Sequence, residues 1–245
     1  MLEGLKRWFS SSPKAAAPAR GWEGLAPWAE GRQYAFRGAR EAEGFIVEGR
    51  GGAGRWRLEW GASQRRYIAG NELRIRAELG LPGELQAVLM NRPLAETMEK
   101  AVFDQYVEGV QTRIDNETPP EMRWLVMFPK LTGSELGPLR ERWVALASVK
   151  PFVQQWLEGA LAGALQALPA EPKKPVVLMI GRGRLALRTA LAAPDARDLD
   201  DALRFFDVAM REARRAAQGN FDTHGPSTQP SLFPASALPE DTRRK

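Results

Sequence analysis

Two hydrophobic periods divide this chain. Between positions 45 and 91, apolar residues recur at every second place. In GRWRLEWG, Trp56, Leu58 and Trp60 alternate with Arg55, Arg57 and Glu59; in ELRIRAELG, Leu73, Ile75, Ala77 and Leu79 alternate with Arg74, Arg76 and Glu78. Period two puts one set on each face of a strand. FIVEG (45–49) and ELQAVLM (84–90) read as two more strands. Turn residues at Gly51-Gly52, Ala69-Gly70-Asn71 and Leu81-Pro82-Gly83 separate the four, and a meander is the simplest arrangement.

After position 92 the period lengthens. Pro93 suits a first helical turn, and Leu94, Met98, Val102, Tyr106 and Val110 recur every fourth residue. A loop, DNETPPE (115–121), ends that helix. MRWLVMF (122–128) is a continuous apolar run and predicts a buried strand. Leu136, Leu139, Trp143 and Leu146 predict a helix. Pro151 opens another, with Val153, Leu157, Leu161 and Leu165 on one ridge. PVVLMI (175–180) and RLALRTAL (184–191) predict two strands. A last helix starts near Asp198 as N-cap, with Leu199, Leu203, Phe206, Met210 and Ala213 inward. The sum is α+β: a largely antiparallel sheet of about six to seven strands packed by about four helices.

The edges of the chain read differently. Residues 1–20 hold a short amphipathic stretch, with Leu2, Leu5, Trp8 and Phe9 on one side, followed by the linker SSSPKAAAPAR. Residues 218–245 have no period and much Pro, Ser, Thr and Gly, which predicts a disordered tail. The body, 21–217, divides into two halves near 118 if it divides at all.

Composition narrows the chemistry. The 245 residues include no cysteine and one histidine, His224 in the tail. That removes thiolate catalysis, a histidine-based triad and multi-histidine metal sites. Asp104 and Glu108 are one helical turn apart, but nothing in the pattern makes them converge. The expectation is no catalytic residue, no metal and no cofactor. Net charge is +5. Residues 1–20 carry four cations against Glu3, and residues 218–245 are balanced, which leaves only +2 for the body. Direct nucleic-acid binding is not expected of so neutral a body. No apolar run reaches membrane-spanning or signal-peptide length, so the expected location is cytoplasmic, with membrane association through residues 1–9 as an addition.

Four local features carry candidate function. Arg55, Arg57, Arg74 and Arg76 share the face opposite the tryptophans; they form either an anion-binding platform, belonging to a binder of or an enzyme acting on an anionic ligand, or a solvated face paired with Glu59 and Glu78. GRGGAG (49–54) has phosphate-loop glycine spacing, but a strand follows where a helix is needed, so a hairpin turn is expected. Asp195, Asp198, Asp200 and Asp201 crowd a helix start, where capping and the helix dipole suffice as a reason. Leu2, Leu5, Trp8 and Phe9 suit a weak membrane-surface contact, an unidentified protein partner, or the chain's own body.

In the tail, Gln229-Pro230-Ser231-Leu232-Phe233 resembles the peptide by which bacterial polymerases and repair proteins hold the DNA sliding clamp. Such peptides begin with Gln and end with a Leu-Phe pair; Pro230 stands where Leu is usual. The resemblance implies that Gln229, Leu232 and Phe233 engage a preformed pocket on the clamp, with avidity supplied by a ring-shaped partner. It covers five residues and implies nothing about the body.

Overall fold

A computed structural model describes Trp22, residues 24–39, 43–107, 119–169, Glu171 and 174–221, without the side chains of 104–107. Eight strands form one antiparallel sheet: β1 (Ala35–Gly38), β2 (Gly44–Gly51), β3 (Gly54–Ala62), β4 (Asn71–Glu78), β5 (Ala87–Asn91), β6 (Trp143–Ala147), β7 (Val176–Gly181) and β8 (Arg184–Ala190). Their spatial order is β1-β2-β3-β4-β8-β7-β5-β6. The helices are α1 (Leu25–Glu30), α2 (Arg92–Val107), α3 (Pro120–Met127), α4 (Gly133–Leu136), α5 (Lys150–Trp156), α6 (Ala160–Ala167) and α7 (Ala196–Phe221). The α+β architecture with an antiparallel sheet is therefore as the periodicity implies.

The meander is not continuous. β2, β3 and β4 are neighbours, but β5 does not follow β4; the hairpin β7–β8 fills the place between them. The alternation that predicts a strand does not fix its neighbour. β7 and β8 meet at Arg182-Gly183, both with positive φ (53° and 74°), as a tight antiparallel turn requires.

Three elements depart from the periodic reading. MRWLVMF is helical, not a strand: α3 starts on Pro120, with Pro tolerated in the first turn and Glu121 beside it. Its Trp124 and Leu125 are buried while Val126 and Met127 are exposed, a helical division of an unbroken apolar run. The helix expected through Leu136, Leu139, Trp143 and Leu146 ends early. α4 is one turn, a 3-10 turn follows at Gly137–Leu139, and Trp143 and Leu146 lie on β6. The Pro151 helix is two helices, α5 and α6. They break at Gly159, whose φ is 71°, although Val153, Leu157, Leu161 and Leu165 are all buried. α7 begins before Asp198: Asp195 Oδ1 accepts from the Asp198 amide at 2.7 Å, so Asp195 caps the helix. It also runs past Ala217 to Phe221, whose ring packs 6.3 Å from Phe152.

Both sheet faces are used, unequally. Trp56, Leu58 and Trp60 of β3, with Leu73 and Ile75 of β4 and Leu185 and Leu187 of β8, pack under α7, α5 and α6. On the other face, Val88, Met90, Val144, Leu146 and Val177 pack under α2 and α3. That second layer covers only the β6-β5-β7 half. The opposite half bears the charged residues of β2, β3, β4 and β8. No helix among the described residues is long and apolar enough to cross a membrane.

Candidate functional site

The arginines of the sheet meet the protein's own carboxylates. Register places Arg57 opposite Arg76 and Glu59 opposite Arg74. Glu59 takes Arg57 at 2.6 Å, Arg76 at 2.9 Å and Arg74 at 3.3 Å, while Arg57 also reaches Glu48 at 2.9 Å. Arg55 stands apart. It is opposite Arg50 near the β2–β3 turn, exposed and without an ion pair among the described residues. Of the four candidate arginines, three therefore share one glutamate and the fourth does not join them.

Partial burial pushes the Glu59 carboxyl up, but the hydrogen bond from Arg57 and the charges of Arg76, Arg57 and Arg74 outweigh it and hold the group below its ordinary value of 4.5. A carboxyl lowered in the folded state contributes stability above its unfolded pKa and loses it as pH falls through the folded one. Glu59→Gln is expected to be less stable than wild type at neutral pH, with a shallower loss between about pH 5 and pH 3. Urea midpoints at the two pH values test this, and parallel losses in both proteins would count against it.

Where the charged half meets the α2–α3 half, two carboxylates are fully buried. Glu72 accepts from Arg188 at 2.6 Å and from the Gln64 amide at 3.0 Å, with Arg74 at 3.7 Å. Glu121 accepts from Arg65 Nε and Tyr67 Oη, both at 2.5 Å, while its Oε2 is buried without a hydrogen-bond partner among the described residues. Burial lowers the Arg65 pKa, but the adjacent Glu121 carboxylate more than reverses it. Burial, then Glu121, pushes the Tyr67 hydroxyl upward. These pairs fasten α3 and the 63–70 loop to the sheet. A single sequence gives little sign of them: Glu72 lies on the same alternation as Arg74, but Glu121 stands in a loop-like Pro-Pro segment.

The glycine loop is a hairpin, with Gly51 opposite Gly54. Its Ala53 amide donates to Asp207 of α7 at 2.8 Å, and Arg214 donates to the Ala53 carbonyl. One amide of the loop is thus already met by the protein's own carboxylate. The aspartates at the start of α7 diverge. Asp195 caps, Asp200 accepts from Trp28 Nε1 at 3.1 Å and Arg32 at 2.6 Å, and Asp201 pairs with Arg204. Among the described residues no group of three or more His, Cys, Asp or Glu is placed to hold a metal.

A cleft of about 380 Å³ opens beside the first turns of α7. Leu73, Leu187 and Thr189 floor it from the sheet, Trp143 and Asn91 close one end, and Leu168 and Phe205 wall it. Trp143 Nε1 and Thr189 Oγ1 are buried without a hydrogen-bond partner among the described residues. An unmet buried donor or acceptor costs about 1–3 kcal/mol, and neither atom has surface left to face the cleft. Sequence patterning missed this site because it puts Trp143 on a helix stripe. Leu2, Leu5, Trp8, Phe9, Gln229, Leu232 and Phe233 lie outside the described residues, as do Glu108 and the Asp104 side chain.

Compared with protein-family models, with curated proteins and with solved structures, the chain matches none.

Proposed function

We propose that this chain is a non-catalytic interaction protein, a cytoplasmic adaptor whose antiparallel body carries two recognition peptides. One is the amphipathic segment with Leu2, Leu5, Trp8 and Phe9, which anchors on an unidentified protein partner or a membrane surface. The other is the segment of Gln229, Leu232 and Phe233. The observation that supports this reading is the state of the arginine face: Glu59 engages Arg57, Arg74 and Arg76, so those cations serve the sheet. A charge already met within the fold offers little to an outside anion.

A second reading gives the adaptor a partner. QPSLF starts eight positions beyond Phe221, the last residue of α7, and would present its Leu-Phe pair to the DNA sliding clamp of a replication or repair assembly. Purified clamp immobilised on a sensor surface tests it with the full chain. Wild type is expected to bind with micromolar affinity, and Leu232→Ala/Phe233→Ala to lose about tenfold or more. Equal binding by wild type and double variant would remove the clamp from the proposal.

A further inference from the structure

The cleft beside α7 carries an inference that does not rest on the adaptor reading. We infer that it binds a small amphiphilic carboxylate, an apolar body ending in one carboxylate group, with Arg142 as the counter-ion. Its volume, about 380 Å³, falls within the range of small-molecule sites. Leu73, Leu187, Leu168 and Phe205 give the apolar body its walls.

Charge decides the head group. Arg142 stands in the lining and has no carboxylate partner among the described residues. Its Nη1 donates to the Gln166 carbonyl at 3.0 Å, and its Nη2 to the carbonyls of Leu168 at 2.7 Å and Pro169 at 3.1 Å. Those bonds hold the guanidinium at the end of α6, but carbonyl dipoles do not neutralise a full charge. Nε has no acceptor among the described residues, and it is not one of the side-chain atoms shut away from solvent. A held cation thus keeps an N–H for an incoming oxygen, and an ionised acceptor gains most from it. The rim carboxylates mostly have cations of their own. Glu141 pairs with Arg140 at 2.9 Å, Glu171 with Lys174 at 3.8 Å, and Asp201 with Arg204. Asp198 has no ion pair among the described residues, but it lies in the first turn of α7, where the helix dipole favours it. The rim therefore does not exclude an anion, and Arg142 is the cation it leaves without a carboxylate.

Decanoate is the probe, titrated into the full chain and followed by isothermal calorimetry. Saturable binding of one decanoate per chain is expected, about tenfold tighter than 1-decanol, because the alcohol offers Arg142 no charge. Arg142→Gln is expected to weaken decanoate by about tenfold and to erase its advantage over the alcohol. Ala202→Trp, which fills the cleft from α7, is expected to weaken both ligands by about tenfold or more. It keeps the test decisive if Arg142→Gln, which also strips donors from the Gln166, Leu168 and Pro169 carbonyls, melts early. Arg140→Gln removes an exposed cation outside the lining and is expected to leave binding unchanged. Absence of saturable binding by the folded wild type, or binding indifferent to Ala202→Trp, would overturn the site. Equal affinity for decanoate and 1-decanol, or a preference for decanoate that survives in folded Arg142→Gln, would overturn the carboxylate head and its counter-ion.

Discussion

Glu72→Ala is expected to destabilise the protein by about 3–5 kcal/mol, because it leaves the buried Arg188 guanidinium without its carboxylate and Arg74 with Glu59 alone. Glu72 is fully buried. Arg188 lies 2.6 Å from one oxygen, and the other oxygen holds the Gln64 amide at 3.0 Å and faces Arg74 at 3.7 Å. Arg188 and Arg74 are themselves only 15% and 17% exposed, so water cannot replace the carboxylate cheaply. Arg74 already has two buried nitrogens, Nε and Nη1, without a hydrogen-bond partner among the described residues. Glu72→Gln keeps an acceptor but removes the charge, and is expected to lose less. Urea denaturation of both variants measures the difference. A cost below about 1 kcal/mol for Glu72→Ala would mean that the pairing is incidental.

Trp156→Ala is expected to cost about 3–5 kcal/mol through the cavity it leaves. The indole is fully buried between α5 and α7 and donates to the Ala209 carbonyl at 3.0 Å. Its ring lies 6.0 Å from Phe152, which in turn packs against Phe221 at the end of α7. Loss of the ring therefore loosens the longest helix from the layer beneath it. Trp156→Phe keeps much of the volume and is expected to cost less than half as much. Chemical denaturation again gives the values, and equal costs for Ala and Phe would show that the hydrogen bond, not the volume, holds α7 in place.

The sheet was legible where one face of a strand is apolar and the other charged. Trp56, Leu58 and Trp60 alternate with Arg57 and Glu59 because the inner face meets α7 and the outer face meets water and ion pairs. β7 was legible as a short apolar run. Where both faces are covered, an apolar run marks burial but not the element, so β5 and β7 were legible and β6 was not. Trp143, Val144, Ala145, Leu146 and Ala147 are all buried, since β6 lies between two helical layers, and no alternation survives to mark it. The same ambiguity misread MRWLVMF, whose helix is declared by Pro120 and not by its apolar positions. Strand order was beyond local pattern: the insertion of β7–β8 between β4 and β5 depends on distant pairings, such as Met90 with Val177 and Arg76 with Ala186. For the site, alternation put Arg57, Arg74 and Arg76 on one face, and Glu59 was legible as their partner. Glu121, Trp143 and Thr189 were not legible, because each acquires its role from an element assigned wrongly or paired distantly.

The arginine face serves the fold: Glu59 holds Arg57, Arg74 and Arg76 on the sheet. Fluorescence anisotropy of a labelled oligonucleotide, titrated with the full chain at physiological salt, tests that directly. The account predicts no saturable binding up to about 100 μM, because polyanion affinity requires cations free to replace counterions. Saturable binding that Arg76→Ala weakens would contradict it, since Arg76, 54% exposed, would then be engaging the polyanion and not Glu59.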